Sequence, residues 1–189
     1  MAGKIILLNG ASSAGKSTLA SAVRAQVAEP FWHYSIDHLM AGGVLPRARL
    51  ENGDFAWSDM RPMFFEGFHR SIPALAAAGN NLVVEHIVEE QAWMDRLVLL
   101  LEGCDVFFVG LHCPVEELER RERERGNRRI GEARADFEVT HTFASYDLEL
   151  ETTGPSEPLA RALLSAWACR TPPSAFSSML RRLRRASAP

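Results

Sequence analysis

The chain has 189 residues, of which 47% are hydrophobic and 24% charged, a balance typical of a packed soluble protein rather than a disordered or fibrous one. This length fits one domain, because single cores grow to roughly 250 residues before chains split. The formal net charge of -3 gives no general attraction to a phosphate backbone, so we expect no nucleic-acid partner.

Short apolar runs alternate with segments of helical period, which predicts an α/β fold with a mostly parallel five-stranded sheet flanked by helices in three layers. The predicted strands cover residues 5–9, 31–36, 82–84, 106–111 and 146–150. The predicted helices cover residues 16–29, 64–78, 93–101, 114–125, 132–141 and 158–168.

Three further features of the sequence carry expectations. Residues 41–57 are polar and long for a connection, so we expect a loop on the substrate side. Pro73 should kink or shorten the helix that contains it. After Pro172-Pro173 the sequence becomes rich in Ser and Arg, which indicates a disordered or loosely docked tail. We therefore expect a domain over residues 1–172 and a tail over 173–189.

The first predicted strand runs into a complete GxxxxGK[ST] motif that precedes the first helix. Such a loop lets backbone N–H groups close around a polyphosphate, which predicts a P-loop NTPase-type fold that binds ATP. Lys16 supplies a charge to the transferring phosphate, and Ser17 is placed to ligate Mg²⁺. The expected cofactor-binding residues are Gly10, Ala11, Ser12, Ser13, Ala14, Gly15, Lys16, Ser17 and Thr18.

Two carboxylates follow later strands, at the sheet edge where ligands collect in open α/β folds. Asp37 comes directly after the second strand and is the candidate catalytic base, although Asp is also a common helix cap. Glu85 ends the third strand and is a candidate magnesium ligand beside Ser17, although an ordinary ion pair is as good an explanation.

The segment from Glu116 to Arg134 contains seven arginines and six glutamates. Pairs such as Glu117 with Arg121 have the i,i+4 spacing of a solvated helix. The remaining arginines follow the fourth strand, where small P-loop kinases carry a lid that closes on ATP. We therefore predict a lid at about residues 116–141, with catalytic arginines Arg121, Arg125 and Arg128 alongside Lys16.

These features resemble the chloramphenicol phosphotransferases, a family of small P-loop kinases. The resemblance covers most of residues 5–153 and lies in the stretch from Ile6 to Ser17, in Asp37, in Arg121-Glu122 with Arg125-Gly126-Asn127-Arg128, and in residues 146–153. It implies transfer of the ATP γ-phosphate to a hydroxyl of an antibiotic-like molecule, with Asp37 as the base. Residues 41–57 match no feature of a chloramphenicol pocket, so the acceptor stays open.

Two other functions remain open at this point. One is a metabolic kinase of the shikimate, gluconate or nucleotide type, with the same fold and a similar lid. The other is a nucleotide-binding regulatory protein, suggested by the arginines within residues 181–185.

Cys104, Cys113 and Cys169 form no CxxC pair, so neither a disulfide framework nor a zinc site can be read from them. With no apolar run long enough for export or anchoring, we expect a cytoplasmic protein without a membrane partner, and homo-oligomerisation stays open.

Overall fold

The computed structural model of the chain describes residues 2–125 and 130–186. Five strands form one sheet: β1 (Lys4–Asn9), β2 (Phe31–Ser35), β3 (Asn81–His86), β4 (Asp105–His112) and β5 (Leu148–Glu151). Their order across the sheet is β2-β3-β1-β4-β5, and every neighbouring pair is parallel. The register sets Leu8 beside Glu85 and Asn9 beside Gly110, so the carboxyl ends of the three central strands meet at one edge.

The described residues also form nine helices: α1 (Lys16–Gln26), α2 (Ile36–Ala41), α3 (Arg47–Glu51), α4 (Trp57–Ala77), α5 (Gln91–Leu100), α6 (Val115–Arg125), α7 (Glu132–Val139), α8 (Ser156–Ala168) and α9 (Ala175–Ala186). The predicted parallel sheet flanked by helices is therefore confirmed.

The central strands are continuous apolar runs because both of their faces are covered. Along β1, Ile5 and Leu7 pack into one core cluster with residues of α4, α5 and α9, while Ile6 and Leu8 pack into a second with residues of α1 and α8. This alternation follows from the two-residue period of a strand. The sheet is thus the middle layer of three.

Two expectations about the segment after β2 need correction. Residues 41–57 are not an uninterrupted loop, because α3 forms within them. The expected shortening at Pro73 does not occur, since α4 runs through Pro62 and Pro73 to Ala77. Ile72 and Ala76, on either side of Pro73, are fully buried, and this packing outweighs the backbone hydrogen bond that proline removes.

A pair of buried histidines joins α4 to the sheet. The Nε2 atoms of His69 and His86 lie 2.7 Å apart, and the N–H of Ile87 donates to Nδ1 of His86. His86 Nδ1 therefore carries no proton, and its Nε2 donates to His69. Burial lowers the pKa of His69 to about 4 and that of His86 well below its usual value. Both rings are neutral at pH 7.

The C-terminal segment differs from the expected disordered or loosely docked tail. Residues 175–186 form α9, whose Ala175, Phe176 and Met179 are buried in the core cluster on one face of the sheet. The Asp147 carboxylate fixes its start by accepting a hydrogen bond of 2.7 Å from the N–H of Ala175. The Ser-rich and Arg-rich composition suggested disorder. The apolar residues nevertheless recur with helical period between the arginines, so they form one continuous stripe that packs on the core.

None of the helices within residues 2–125 and 130–186 combines the length and apolar character needed to cross a membrane. All three cysteines are free thiols.

Phe176→Ala should show whether α9 belongs to the core. We expect it to lower the free energy of unfolding by about 3 kcal/mol, because a buried aromatic ring is replaced by a cavity. Urea denaturation followed by circular dichroism measures the change. The exposed Arg185→Ala serves as the control on the same helix and should change stability little; equal small effects for both variants would contradict the packing described.

The histidine pair predicts a loss of stability in acid. Because the folded-state pKa of His69 lies near 4 against 6.5 in the unfolded chain, the unfolded state takes up a proton first as pH falls. The contribution of neutral His69 to the free energy of unfolding is complete above pH 6.5. It is lost as the pH falls to about 4, a decrease on the order of 2–3 kcal/mol. His69→Gln should be less stable at pH 7 and should show a shallower decline in urea titrations at pH 7, 6, 5 and 4. An unchanged slope would refute the buried neutral state.

Candidate active site

The P-loop connects β1 to α1 at the carboxyl edge of the sheet. Gly10 must lack a side chain, since a Cβ there would lie 2.9 Å from the carbonyl oxygen of Leu111 on β4. Gly15 has a φ of 87°, which permits the turn into α1. The Nζ of Lys16 folds back and donates to the carbonyls of Gly10 and Ala11, each at 2.8 Å. Ser13 of the loop and residues 15–18 at the start of α1 face one side of this edge.

A cleft of about 310 Å³ opens on that side. It joins the P-loop, the ends of β2 and β3, and α6. Its lining residues are Ser13, Gly15, Lys16, Ser17, Thr18, Ser35, Ile36, Asp37, Glu85, His86, Ile87, Arg121 and Arg125.

The cleft contains every candidate catalytic and metal residue except Arg128, which lies outside the described residues. The remaining candidates, Gly10, Ala11, Ser12 and Ala14, are buried parts of the loop that do not line it. The structure therefore brings together residues from four separate segments of the chain.

Glu85 lies deep in the cleft and is buried. Its Oε2 accepts a hydrogen bond of 2.9 Å from the Ser17 hydroxyl, and its Oε1 contacts Nε2 of His33 on β2. Burial alone would raise the pKa of Glu85, but the bond to His33 and the charge of Lys16 hold it below its usual value. Glu85 is thus kept as a carboxylate. No pattern in the sequence points to His33, because its contact with Glu85 depends on β2 lying beside β3.

A hydroxyl and a carboxylate in contact at the start of α1 suit Mg²⁺, which takes few protein oxygens and completes its shell with phosphate oxygens and water. No group of three or more His, Cys, Asp or Glu side chains placed to hold a metal occurs in the part of the chain that the structure describes. Ser17 and Glu85 therefore fit a magnesium ion that arrives with the nucleotide.

Asp37 lies in the first turn of α2, just past β2; it is exposed and lines the cleft. The alternative explanation of Asp37 as a helix cap is not supported. The cap is Ser35, whose hydroxyl accepts a hydrogen bond from the N–H of His38.

Arg121 and Arg125 reach the cleft from α6, and they do so differently. Arg121 is held by Glu117 at 2.7 Å and donates to the carbonyls of Thr152, at 2.7 Å, and Ser13, at 3.4 Å. The predicted i,i+4 pair of Glu117 with Arg121 is therefore present. Arg125 also lines the cleft and is more exposed than Arg121. Arg121 is thus fixed against the P-loop, whereas Arg125 is exposed to solvent.

Helix α7 is fastened to the P-loop, a link that the sequence analysis missed. Its Asp136 carboxylate accepts a hydrogen bond of 2.9 Å from the N–H of Ser12, and its fully buried Ala133 packs against Ala11 and Ala14. The Glu122 carboxylate of α6 accepts from two backbone N–H groups at the start of α7. The expected lid over about 116–141 therefore includes helices that brace the nucleotide loop.

Asn9 ties these parts together from the end of β1. Its fully buried side chain donates to the carbonyl of Thr140 and the hydroxyl of Tyr146, and its Oδ1 accepts from the N–H of Val88. The hydrogen bonds are 2.8 to 3.0 Å long.

Four aromatic residues lie along α4, and two of them are buried. Phe65 and Phe68 are buried and contact His86, with the ring of Phe65 stacked on Trp93 at 4.5 Å. Trp57 and Phe64 are half-buried and meet edge to face. Arg61 covers the rings of Phe65 and Trp93 and pairs with Glu89 at 2.6 Å.

Comparison with known proteins places this site in a family. The family described as chloramphenicol phosphotransferase-like protein matches residues 3–168. A Mycobacterium tuberculosis protein named "Putative O-phosphotransferase Rv2636" is 34% identical, with 95% of this chain and 89% of the relative aligned.

Two solved structures share the fold. The Mycobacterium tuberculosis APS kinase CysC, in complex with AMPPNP and APS, superposes with a TM-score of 0.66 at 20% identity, over 88% of this chain and 98% of the kinase. A sugar kinase from Janibacter sp. superposes with a TM-score of 0.66 at 19% identity, over 88% of this chain and 95% of its own. With its P-loop, its parallel sheet and a match over residues 3–168, the chain belongs to the chloramphenicol phosphotransferase-like family.

Proposed function

We propose that the protein transfers the γ-phosphate of ATP to a hydroxyl of a small, antibiotic-like molecule, with Mg²⁺ as cofactor. The family match and the relative named as an O-phosphotransferase identify the chain as a kinase. One observation carries the assignment of cofactor and acceptor: Lys16, Asp37, Glu85 and Arg121 line the same cleft. Phosphoryl transfer needs these groups: a phosphate cradle, a base for the acceptor, and charges around the transferring group.

The two ends of the cleft suggest how the substrates lie. Lys16, Ser17 and Thr18 line the end at the start of α1, where amides and helix dipole favour the phosphates. Asp37 lines the same cleft from a separate element, the first turn of α2 directly after β2. We therefore assign the acceptor hydroxyl to the side of Asp37 and the polyphosphate to the side of the P-loop.

In the proposed reaction the acceptor oxygen attacks the γ-phosphorus while the Asp37 carboxylate takes the hydroxyl proton. A bond forms between the acceptor oxygen and phosphorus, and the bond from phosphorus to the ADP oxygen breaks. Lys16 turns from the carbonyls of the loop to the phosphates, and Arg121 and Arg125 offset the charge on the transferring group. We also propose a role of this kind for Arg128. Magnesium, held by Ser17 and Glu85, would supply further charge neutralisation.

The acceptor is proposed as a class rather than a compound. The family description and the relative named as an O-phosphotransferase support a hydroxyl acceptor. Chloramphenicol belongs in the first panel tested. Phosphate transfer to it would also support a role in antibiotic resistance. Sugar acids and nucleosides belong there too, because a metabolic kinase of the shikimate, gluconate or nucleotide type is the alternative function, and a sugar kinase and an APS kinase share the fold.

The catalytic assignment predicts distinct effects at Asp37 and Lys16. Asp37→Asn should lower kcat about 100-fold or more, since a positioned base contributes that much, while ATP binding is retained. Lys16→Ala should lose turnover. Phosphate transfer to amphenicols, other hydroxyl-bearing antibiotics, sugar acids and nucleosides is measured as ADP release with MgATP.

Asp105→Asn is the matched control, because Asp105 lies at the amino end of β4, away from the carboxyl ends of the strands where the cleft lies. Full turnover by Asp37→Asn would remove Asp37 as the base. ATP binding without turnover on any acceptor would instead favour a nucleotide-binding regulatory protein.

The magnesium assignment predicts a shift in metal dependence. Glu85→Gln keeps the size of the side chain but removes its charge, so the Mg²⁺ concentration giving half-maximal activity should rise about tenfold or more. The measurement is a titration of activity with Mg²⁺ at fixed ATP. Glu29→Gln, which lies at the opposite sheet edge beside Lys4, should leave the titration unchanged. An unaltered half-maximum in Glu85→Gln would contradict the role of Glu85.

A further inference from the structure

The two carboxylate oxygens of Glu85 meet partners on different elements. Oε2 accepts a hydrogen bond of 2.9 Å from the hydroxyl of Ser17 at the start of α1, and Oε1 contacts Nε2 of His33 on β2. Because an ionised carboxylate only accepts hydrogen bonds, Nε2 of His33 carries the proton and donates it to this contact. Ser17 lines the cleft, whereas His33 does not. The route from His33 to the cleft therefore runs through Glu85.

The register of the sheet explains how His33 reaches Glu85. Ser35 of β2 lies beside Glu85 of β3, and His33 lies two residues earlier on β2. Paired residues of neighbouring strands, and residues two apart on one strand, point to the same face of a sheet. That face is the one that α1 covers, since Val83, two residues before Glu85, packs with Leu19. Diagonal neighbours of this kind are within reach of an aromatic side chain.

The contact between His33 and Glu85 is shielded from solvent. Their side chains are only 11% and 7% exposed, and the ring of His38 meets that of His33 edge to face at 4.4 Å. An exposed ion pair is held loosely, but a buried carboxylate with a donor on each oxygen is restricted to one orientation. His33 therefore determines how the carboxylate of Glu85 is presented beside Ser17.

We propose that His33 is a positioning residue for magnesium: its Nε2–H holds Oε1 of Glu85 and so keeps Oε2 beside Ser17, where the metal that arrives with the nucleotide would be held. The inference rests on the proposed magnesium role of Glu85 and extends it to a residue that touches neither nucleotide nor metal. Hydrogen bonds to the side chains that ligate a metal commonly control its affinity. The donor matters here, so another donor in the same place should replace the imidazole.

Two substitutions at position 33 separate hydrogen bonding from packing. The readout is the metal coupling, defined as the ratio of the ADP dissociation constants in EDTA and in saturating Mg²⁺, each measured by calorimetry on the full chain. His33→Leu removes the donor and should lower this ratio about tenfold, to the level of Glu85→Gln. His33→Gln offers an amide N–H close to the place of Nε2 and should keep the wild-type ratio. ADP binding in EDTA should stay unchanged in both variants.

A double variant tests whether the two residues act together. Once Glu85→Gln has removed the charge, adding His33→Leu should lower the metal coupling no further. Trp32→Leu is the matched control, because Trp32 precedes His33 on β2 and is 54% exposed; it should keep the wild-type ratio. Thermal unfolding checks that each variant folds. If His33→Leu does not fold, His33→Asn replaces it, since its amide ends nearer the strand.

Three results would overturn the positioning role: wild-type coupling in His33→Leu, a loss in His33→Gln as large as in His33→Leu, or additive losses in the double variant. Wild-type coupling in Glu85→Gln would overturn the magnesium assignment and the role of His33 with it. Because no acceptor is present, the proposed phosphate transfer is tested separately. Intact coupling without ADP release on any acceptor would contradict that transfer alone.

Discussion

The buried side chain of Asn9 holds the active site together. Its amide group bonds to three elements that are far apart in the chain: the backbone after β3 at Val88, the end of α7 at Thr140, and Tyr146 before β5. Asn9 directly precedes the first glycine of the P-loop. The nucleotide loop, the wall of the cleft that follows β3 and the brace formed by α7 therefore share one anchor. The Asn9 side chain is fully buried, so leaving any of its polar atoms without a partner would be costly.

The family, the fold and the enzyme class could be predicted from sequence because their signals are local. The P-loop motif occupies consecutive residues, and continuous apolar runs such as that of β1 identify buried parallel strands without knowledge of their neighbours. Asp37 and Glu85 could be selected by the rule that ligands bind beyond the carboxyl ends of strands. That they line one cleft with Lys16 agrees with the selection; their chemical roles stay proposals.

The parts that could not be predicted depend on contacts between distant segments. His33 meets Glu85 only because β2 and β3 are neighbours in the sheet. Asp136 reaches the P-loop only because α7 packs on Ala11 and Ala14 through Ala133. The positive φ of Ser13 and the burial of its hydroxyl depend on how the loop packs against its surroundings. No spacing in the sequence reports any of these, and composition alone misrepresented α9.

The packing of α9 has a consequence for synthesis of the protein. This helix follows the other thirteen described elements in the chain, yet Phe176 and Met179 complete the apolar cluster that contains Ile5 and Leu7 of β1. Chains emerge from the ribosome with the N-terminal part first. Helices α4 and α5 emerge earlier and cover part of this face, so the apolar surface that Phe176 and Met179 bury stays exposed after the active-site elements have emerged and is covered only when α9 follows.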